Sequence, residues 1–240
     1  MTPLQSLSIF FPCYNDAGTI ASLVLRAESV GRAVAVDFEI IVIDDGSTDG
    51  SRDTLHRLME TVPALRVVLH DRNLGYGGAL RSGFDHATKE WVFYTDGDGQ
   101  YDVGELSKLV ACVADDVDWV NGFKIKRHDP LHRIVLGLMY QYLMKFLFML
   151  KIKDVDCDFR LVRKSSMKNV VLTHSSGVIC VEMVRKFQEA GLRCVEVGVN
   201  HYFRVYGKSQ IFNMPRLFQV VVNLIKLWFE LMIFRKRGIV

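Results

Sequence analysis

The sequence predicts an α/β domain built on a mainly parallel sheet with helices on both faces. Three observations carry that expectation. The first half alternates short apolar runs with helical patterns, the rhythm of right-handed strand–helix–strand crossovers. Several apolar runs stop abruptly in glycines, carboxylates and amides, as strands do at the ligand-binding edge of an open sheet. The chain has 240 residues, 50% of them apolar, enough core for one such domain with an appendage.

The elements follow in order. Strands are expected at Leu7–Pro12, Glu39–Ile43, Arg66–Leu69 and Trp91–Thr95, with another near Asp118–Val120. Helical patterns fall between them, at about Thr19–Val30, Ser51–Glu60, Gly77–Ala87 and Val103–Ala114. The opening apolar run is cut by Asn15 and Asp16 and lacks a basic leader, so it reads as a strand and not as a signal peptide. No internal repeat or low-complexity linker interrupts the pattern.

The most informative stretch is Trp91-Val-Phe-Tyr-Thr-Asp96-Gly-Asp98-Gly-Gln100. A buried strand ends in two carboxylates one residue apart, with glycines that permit a sharp turn. Hard oxygens at this spacing suit Mg²⁺ or Mn²⁺, which keep waters and share ligation with substrate phosphates, and Gln100 adds a carbonyl oxygen. The alternative is an ordinary Asp–Gly turn. Three other strand ends carry polar clusters: Pro12-Cys-Tyr14-Asn15-Asp16, Asp44-Asp45-Gly46-Ser47-Thr48-Asp49-Gly50, and His70 to Ala79 with Asn73, Gly75, Gly77 and Gly78. Asp49 and Ser51 serve equally well as caps of the next helix. A dinucleotide fingerprint fails, because position 80 is leucine and the motif belongs after the first strand.

Composition narrows the function classes. Five cysteines form no CxxC pair, which points to reduced thiols in a cytosolic compartment and to neither a disulfide framework nor a zinc site. His128 and His132 are separated by Pro130, so they do not form a helical metal pair. The net charge of +3 conceals an asymmetry: residues 1–123 carry 9 Lys and Arg against 19 Asp and Glu, and residues 124–240 carry 21 against 8. The second half is therefore expected to meet something anionic. Aromatic–basic interleaving is weak and no nucleic-acid motif is present, which leaves a membrane surface or a phosphorylated lipid.

Two apolar segments support that choice. Ile134–Leu150 has only Gln141 and Lys145 as strongly polar members. Leu217–Phe234 places Gln219, Asn223, Lys226 and Glu230 on one helical stripe opposite a broad apolar face. Lys and Glu near its middle argue against a spanning helix. Arg216 and Arg235-Lys236-Arg237 frame the segment, as in a helix lying in an anionic interface. The expected organisation is thus a domain over 1–212, with an interfacial helix at 134–150, and a C-terminal amphipathic helix over 213–240. Contact with another subunit in a homo-oligomer, or packing on the domain, is the alternative role for that last face.

Pro12-Cys-Tyr14-Asn15-Asp16, Ile43-Asp44-Asp45-Gly-Ser-Thr-Asp-Gly and Asp96-Gly-Asp98-Gly-Gln100 together resemble the ordered signature of family 2 glycosyltransferases. The later Asp154-Val-Asp156-Cys-Asp158-Phe-Arg160-Leu-Val-Arg163, Glu196-Val197 and Arg204-Val-Tyr-Gly207-Lys208-Ser209 are similar to motifs of the dolichol-phosphate mannose synthase and polyprenyl-phosphate glycosyltransferase branch. The resemblance spans most of residues 7–210 and implies the GT-A nucleotide-sugar fold. It implies that Pro12, Tyr14, Asp16 and Asp45 line the nucleoside pocket of a GDP- or UDP-sugar, and that Asp96, Asp98 and Gln100 hold Mg²⁺ or Mn²⁺ on the diphosphate. Arg81 falls where relatives often place an arginine near the base, or is a solvated helix residue. Arg127 and Arg133 match acceptor-phosphate positions, and Arg204 and Lys208 are candidates for donor or acceptor phosphate, a task that suits arginine's bidentate geometry. The chain departs from the branch at Asp16, where mannose synthases usually have glutamate, and at Asp158, where a small residue is common.

The resulting expectation is an inverting, metal-dependent hexosyl transfer from a nucleotide-diphosphate sugar to a polyprenyl phosphate, by an enzyme peripheral on the cytosolic face of a membrane. Asp98, Arg127 and Arg133 are its expected catalytic residues. Transfer to a sugar hydroxyl is the enzymatic alternative and would require a base such as Asp156 or Asp158. A catalytically silent membrane-associated scaffold is the alternative of another class.

Overall fold

A computed structural model of the chain describes residues 2–127, 131–203, 206 and 214–234, with side chains at 126–127, 131–133 and 214–217 outside that description. Seven strands form one sheet. They are β1 (Leu4–Cys13), β2 (Ala35–Asp44), β3 (Leu65–Leu69), β4 (Trp91–Thr95), β5 (Trp119–Arg127), β6 (Phe159–Arg163) and β7 (Cys194–His201). Their order across the sheet is β3-β2-β1-β4-β6-β5-β7. β6 runs antiparallel to β4 and β5, and every other pairing is parallel. Six strands therefore send their carboxyl ends to one edge.

Alternation along β1 divides the core. Leu7, Ile9 and Phe11 point to the face covered by α1 (Ile20–Val34), α2 (Ser51–Thr61) and α4 (Leu106–Val110). Phe10 points to the opposite face, covered by α3 (Tyr76–His86), α5 (Leu131–Phe148), α6 (Ile179–Glu189) and α7 (Met214–Trp228). The period of two follows from the pleat. Central β4 is buried along its whole length, as a strand covered on both faces should be.

The structure departs from the sequence reading at several elements. β6 and β7, with α6, have no counterpart in the predicted strands and helices. β6 hides because its second residue, Arg160, is a fully buried charge that breaks the apolar run. Val103–Ala114 is not one helix: a 3₁₀ turn at Val103–Glu105 leads into the five-residue α4. α5 begins at Leu131, ahead of the expected Ile134, and α7 continues as a π turn over Phe229–Ile233.

α7 also corrects the reading of its polar stripe. Asn223 donates to Ser176 Oγ at 3.1 Å, and Glu230 lies 3.2 Å from His174 Nε2, so part of the stripe faces the domain. Leu227 and Leu231 are buried in the core, and the Trp228 indole N–H donates to the Leu147 carbonyl. The outward residues are Phe218, Val221, Ile225, Phe229, Ile233 and Phe234, all exposed. On α5, Leu136, Met139, Tyr142, Leu143 and Phe146 are exposed as well, Phe146 at 81%. Leu143 and Leu147 share an apolar groove of about 350 Å³ with Val221, Leu224 and Ile225, so the two helices present adjoining apolar surface. Among the described residues, no helix is long and apolar enough to cross a membrane.

One buried ion pair fastens the helical face to the site. Glu182 of α6 is fully buried and accepts from Thr173 N, Thr173 Oγ1, His174 N and Lys186 Nζ at 2.7–3.0 Å. Lys186, also buried, donates to the Val171 carbonyl as well. Burial alone would raise the Glu182 carboxyl, but the Lys186 bond and the loop N–H groups outweigh it and hold it below its ordinary 4.5. A lowered carboxyl contributes stability above that ordinary value, lost as pH falls through the folded one. Glu182→Ala strands the Lys186 charge, and urea unfolding at neutral pH should register a loss of about 3–5 kcal/mol. The wild type should lose part of its stability as pH falls below about 4.5, and the variant should lack that part of the loss. A loss within experimental error would show that this pair is not structural.

Candidate active site

The carboxyl ends of β1, β2, β3 and β4 gather the polar clusters as expected. The turn after β4 is pressed against the end of β1: a Cβ on Gly97 would sit 2.4 Å from the Pro12 carbonyl oxygen and 3.4 Å from an Asp16 carboxylate oxygen. Only glycine fits that approach. Thr19, at the start of α1, donates its hydroxyl to the Gly97 carbonyl at 2.8 Å. Asp16 is thereby placed beside the Asp96–Asp98 turn.

Asp96 and Asp98 stand where the sequence put them. Asp98 is buried, and its Oδ1 accepts the Gln100 backbone N–H at 3.0 Å. Asp96 accepts from the Tyr76 hydroxyl at 2.7 Å. Burial, and after it the charges of Asp158 and Asp98, push the Asp96 carboxyl well above its usual range, while Tyr76 and Lys124 pull the other way. A divalent cation would relieve carboxylates crowded in this way, and the all-oxygen donor set fits Mg²⁺ or Mn²⁺. Among the described residues no group of three His, Cys, Asp or Glu side chains forms a metal cage, so a cation held here would share its coordination with water and substrate phosphate. Gln100 is partly committed: its amide nitrogen donates to the Tyr202 carbonyl at 3.0 Å, so only its Oε1 could serve a cation.

A second polar cluster is built on the ends of β2 and β3. Asp45 there is buried. Its two oxygens accept from Leu74 N at 2.8 Å and Gly75 N at 2.9 Å, and His70 Nδ1 lies 2.7 Å away. It therefore clamps the 70–75 loop. Asp44, fully buried, binds Arg52 at 2.6 Å, and Arg52 also donates to the His70 carbonyl. Beyond the loop, Leu69, His70, Asp71, Arg72 and Leu74 line an open cleft of about 550 Å³. Three strand spacings, about 14 Å, separate β3 from β4 and its carboxylates. Tyr14 is exposed and Pro12 is buried, and neither lines that cleft. Asn15 adopts φ 59° and accepts from Thr48 N at 2.8 Å, tying the first cluster to the second. Asp49 accepts from Ala17 N and Ser51 N, which places it as a loop clamp and cap. Arg81 is half-buried on α3, and its Nε has no partner among the described residues.

The far side of the carboxylates is lined by the 154–160 loop. Arg160 donates to Asn121 Oδ1, Tyr94 Oη and the Val155 carbonyl at 2.6–2.7 Å, and stands 3.4 Å from Asp158. Lys124 is turned inward onto the Asp156 carbonyl at 2.6 Å and lies 3.5 Å from Asp154, so it belongs to this loop and not to an open basic surface. Burial raises the Asp156 carboxyl to about 6, against the pull of Lys124. Arg127 ends β5 opposite His201, at the same edge as Asp96, and Arg133 falls in the first turn of α5. Their side chains, and residues Arg204 and Lys208, lie outside the described residues.

Sequence reasoning missed Tyr76, Thr19, Tyr94 and the anchoring roles of Asp45 and Arg160. Tyr76 sits inside the Asn73–Ala79 cluster, but nothing in the sequence links it to a carboxylate twenty residues away. Only the β3–α3–β4 crossover does so.

Comparison with known proteins identifies the family and the fold. Residues 8–171 match the family model described as Glycosyl transferase family 2. Among solved structures, glucosyl-3-phosphoglycerate synthase from Mycobacterium tuberculosis with Mn²⁺, uridine diphosphate and glucosyl-3-phosphoglycerate superimposes with a TM-score of 0.70 at 18% identity, over 93% of this chain and 80% of that one. Its complex with Mn²⁺, UDP-glucose and phosphoglyceric acid gives 0.70 at 17%, with the same coverage. A mycobacterial protein gives 0.70 at 21% identity, over 93% and 74%. At such identities the likeness establishes the fold. The family match covers more than half of the chain and includes all four of its motif-bearing strand ends: this protein belongs to glycosyl transferase family 2 and is a glycosyltransferase of the GT-A fold.

Proposed function

We propose that the enzyme transfers a hexose, with inversion, from a nucleoside-diphosphate sugar to a polyprenyl phosphate at a membrane surface. One observation carries the acceptor assignment. β5 ends at the active edge in Lys126 and Arg127, and the chain continues directly into α5, whose outer face joins that of α7 in exposed apolar surface. An anionic head group carrying a long apolar tail has the chemistry that such a run of chain would recognise.

On the donor side, the 69–74 cleft takes the nucleoside, Asp45 fixes its loop, and exposed Tyr14 is available to the base. Asp96, Asp98 and Gln100 Oε1 would hold Mg²⁺ or Mn²⁺, which when bound neutralises charge on the leaving diphosphate. The relatives with Mn²⁺ and UDP or UDP-glucose support that donor class. On the acceptor side, Arg127 and Arg133 hold the lipid phosphate, and Arg204 and Lys208 add phosphate contacts to donor or acceptor. A phosphomonoester is largely dianionic above its second pKa of about 6, so it attacks the anomeric carbon without a protein base. The chain's contribution is to position two anions in line. The enzyme works from the cytosolic face, bound peripherally.

A second reading has its own support. Asp156, raised to about 6, is suited to act as base toward a hydroxyl acceptor, and relatives were solved with phosphoglyceric acid. In either case activity would be present above about pH 6 and lost below it, from the base or from the phosphate dianion. A variant separates the two where a pH profile does not. Asp156→Asn should retain most turnover on a polyprenyl phosphate; a fall of a thousandfold or more would favour a hydroxyl acceptor, since general base catalysis contributes about 10²–10⁴.

Three further outcomes are expected. Asp98→Asn should cut turnover at least a hundredfold while leaving the unfolding midpoint near that of the wild type, and full activity of that variant in EDTA would remove the metal from the account. Arg133→Ala should raise the KM for lipid phosphate about tenfold with little change in the KM for nucleotide sugar; equal effects would place Arg133 elsewhere. Because the inner face of α7 is packed, the membrane test uses its outer face. Ile225→Glu with Phe229→Glu should reduce sedimentation with anionic liposomes more than tenfold, since each apolar side chain buried there is worth about 1.5–3 kcal/mol. If liposome binding persists and an oligomer instead becomes a monomer, the face is a subunit contact.

A further inference from the structure

We propose that Tyr76 is the residue that positions Asp96 for metal binding, holding the carboxylate by its hydroxyl from a backbone pinned on both sides. This rests on reading Asp96 and Asp98 as the metal pair. The hydroxyl donates to Asp96 Oδ1 at 2.7 Å, which fixes the rotation of the carboxylate and orients Oδ2 for ligation. Without such a donor, a carboxylate at the end of a strand must be ordered when the cation arrives. Partners of this kind orient ligands in metal sites, and their loss typically weakens binding.

The local backbone is shaped to keep Tyr76 in place. Gly75 has φ 83°, a conformation that favours glycine, and its N–H is held by Asp45 at 2.9 Å. A Cβ on Gly75 would meet the Ser175 carbonyl oxygen at 2.4 Å, and one on Gly77 would meet the His174 carbonyl oxygen at the same distance. The Gly77 N–H donates to Ser175 O at 2.8 Å. The 173–176 loop is itself bonded to α6 through Glu182 and to α7 through Asn223 and Glu230. Tyr76 is thus the residue through which two fixed loops, one clamped by Asp45 and one by Glu182, act on a metal ligand. It touches the ligand and not the reacting atoms, so it is a positioning residue.

The test measures Mn²⁺ binding directly, by the loss of the free-ion electron paramagnetic resonance signal, on the full-length wild type, Tyr76→Phe and Asp98→Asn. Calorimetry with uridine diphosphate in EDTA supplies a metal-free control. Tyr76→Phe should bind Mn²⁺ about tenfold more weakly with unchanged metal-free nucleotide affinity. Wild-type Mn²⁺ affinity in Tyr76→Phe, with binding lost in Asp98→Asn, would overturn the role of Tyr76 alone. An equal weakening of Mn²⁺ and metal-free nucleotide binding would also overturn it, by showing that the residue merely supports the loop. Unchanged Mn²⁺ binding in Asp98→Asn would instead remove the metal-pair reading beneath it.

Discussion

Everything at the active edge is arranged around the crowding of Asp96, Asp98 and Asp158 at one end of a buried strand. Like charges in a partly desolvated site repel, and Asp96 shows the result in a carboxyl pushed well above its usual range. The surroundings answer with fixed donors and cations. Tyr76 bonds one oxygen of Asp96, Arg160 stands beside Asp158, and Lys124 is drawn inward nearby. Each of these groups is held in turn by the backbone of another loop. The site is therefore preorganised, and what remains for a divalent cation is to complete a balance of charge already prepared by the fold.

Preorganisation on the donor side contrasts with the open, apolar character of the opposite flank. α5 and α7 bury one face each in the core and leave another exposed. Their inner contacts are specific, including the Trp228 bond to Leu147 and the Asn223 bond to Ser176. Among the described residues, the outer faces are exposed. A rigid nucleotide site next to a pair of half-buried apolar helices is the arrangement that a water-soluble donor and a lipid acceptor would each require.

The β1–β4 part of the sheet was legible because each strand there closes on a short apolar run that gives way to glycines and polar residues. Trp91–Thr95 was read to the residue. β6 was not, since its burial of Arg160 depends on Tyr94, Asn121 and the Val155 carbonyl arriving from other elements. In the site, Asp96, Asp98 and Asp16 could be placed together from strand topology alone, and Gly97 explains physically why they meet. The clamping of a loop by Asp45 and the reach of Tyr76 to Asp96 could not, because both depend on tertiary contacts between segments that sequence spacing does not relate. The polar stripe of α7 was seen correctly as a stripe, but it is turned partly toward the domain because Ser176 and His174 offer partners there.

The central claim, that a sugar passes from a nucleotide to a lipid phosphate, is tested most directly by the product itself. The enzyme would be incubated with Mn²⁺, a panel of nucleoside-diphosphate hexoses and a short polyprenyl phosphate, and the lipid fraction analysed by mass spectrometry. The account predicts one new species, heavier than the polyprenyl phosphate by a single hexosyl group, in which the sugar is linked through the phosphate with its anomeric configuration inverted. Transfer of the same hexose to a hydroxyl acceptor, with the polyprenyl phosphate recovered unchanged across the panel, would contradict it.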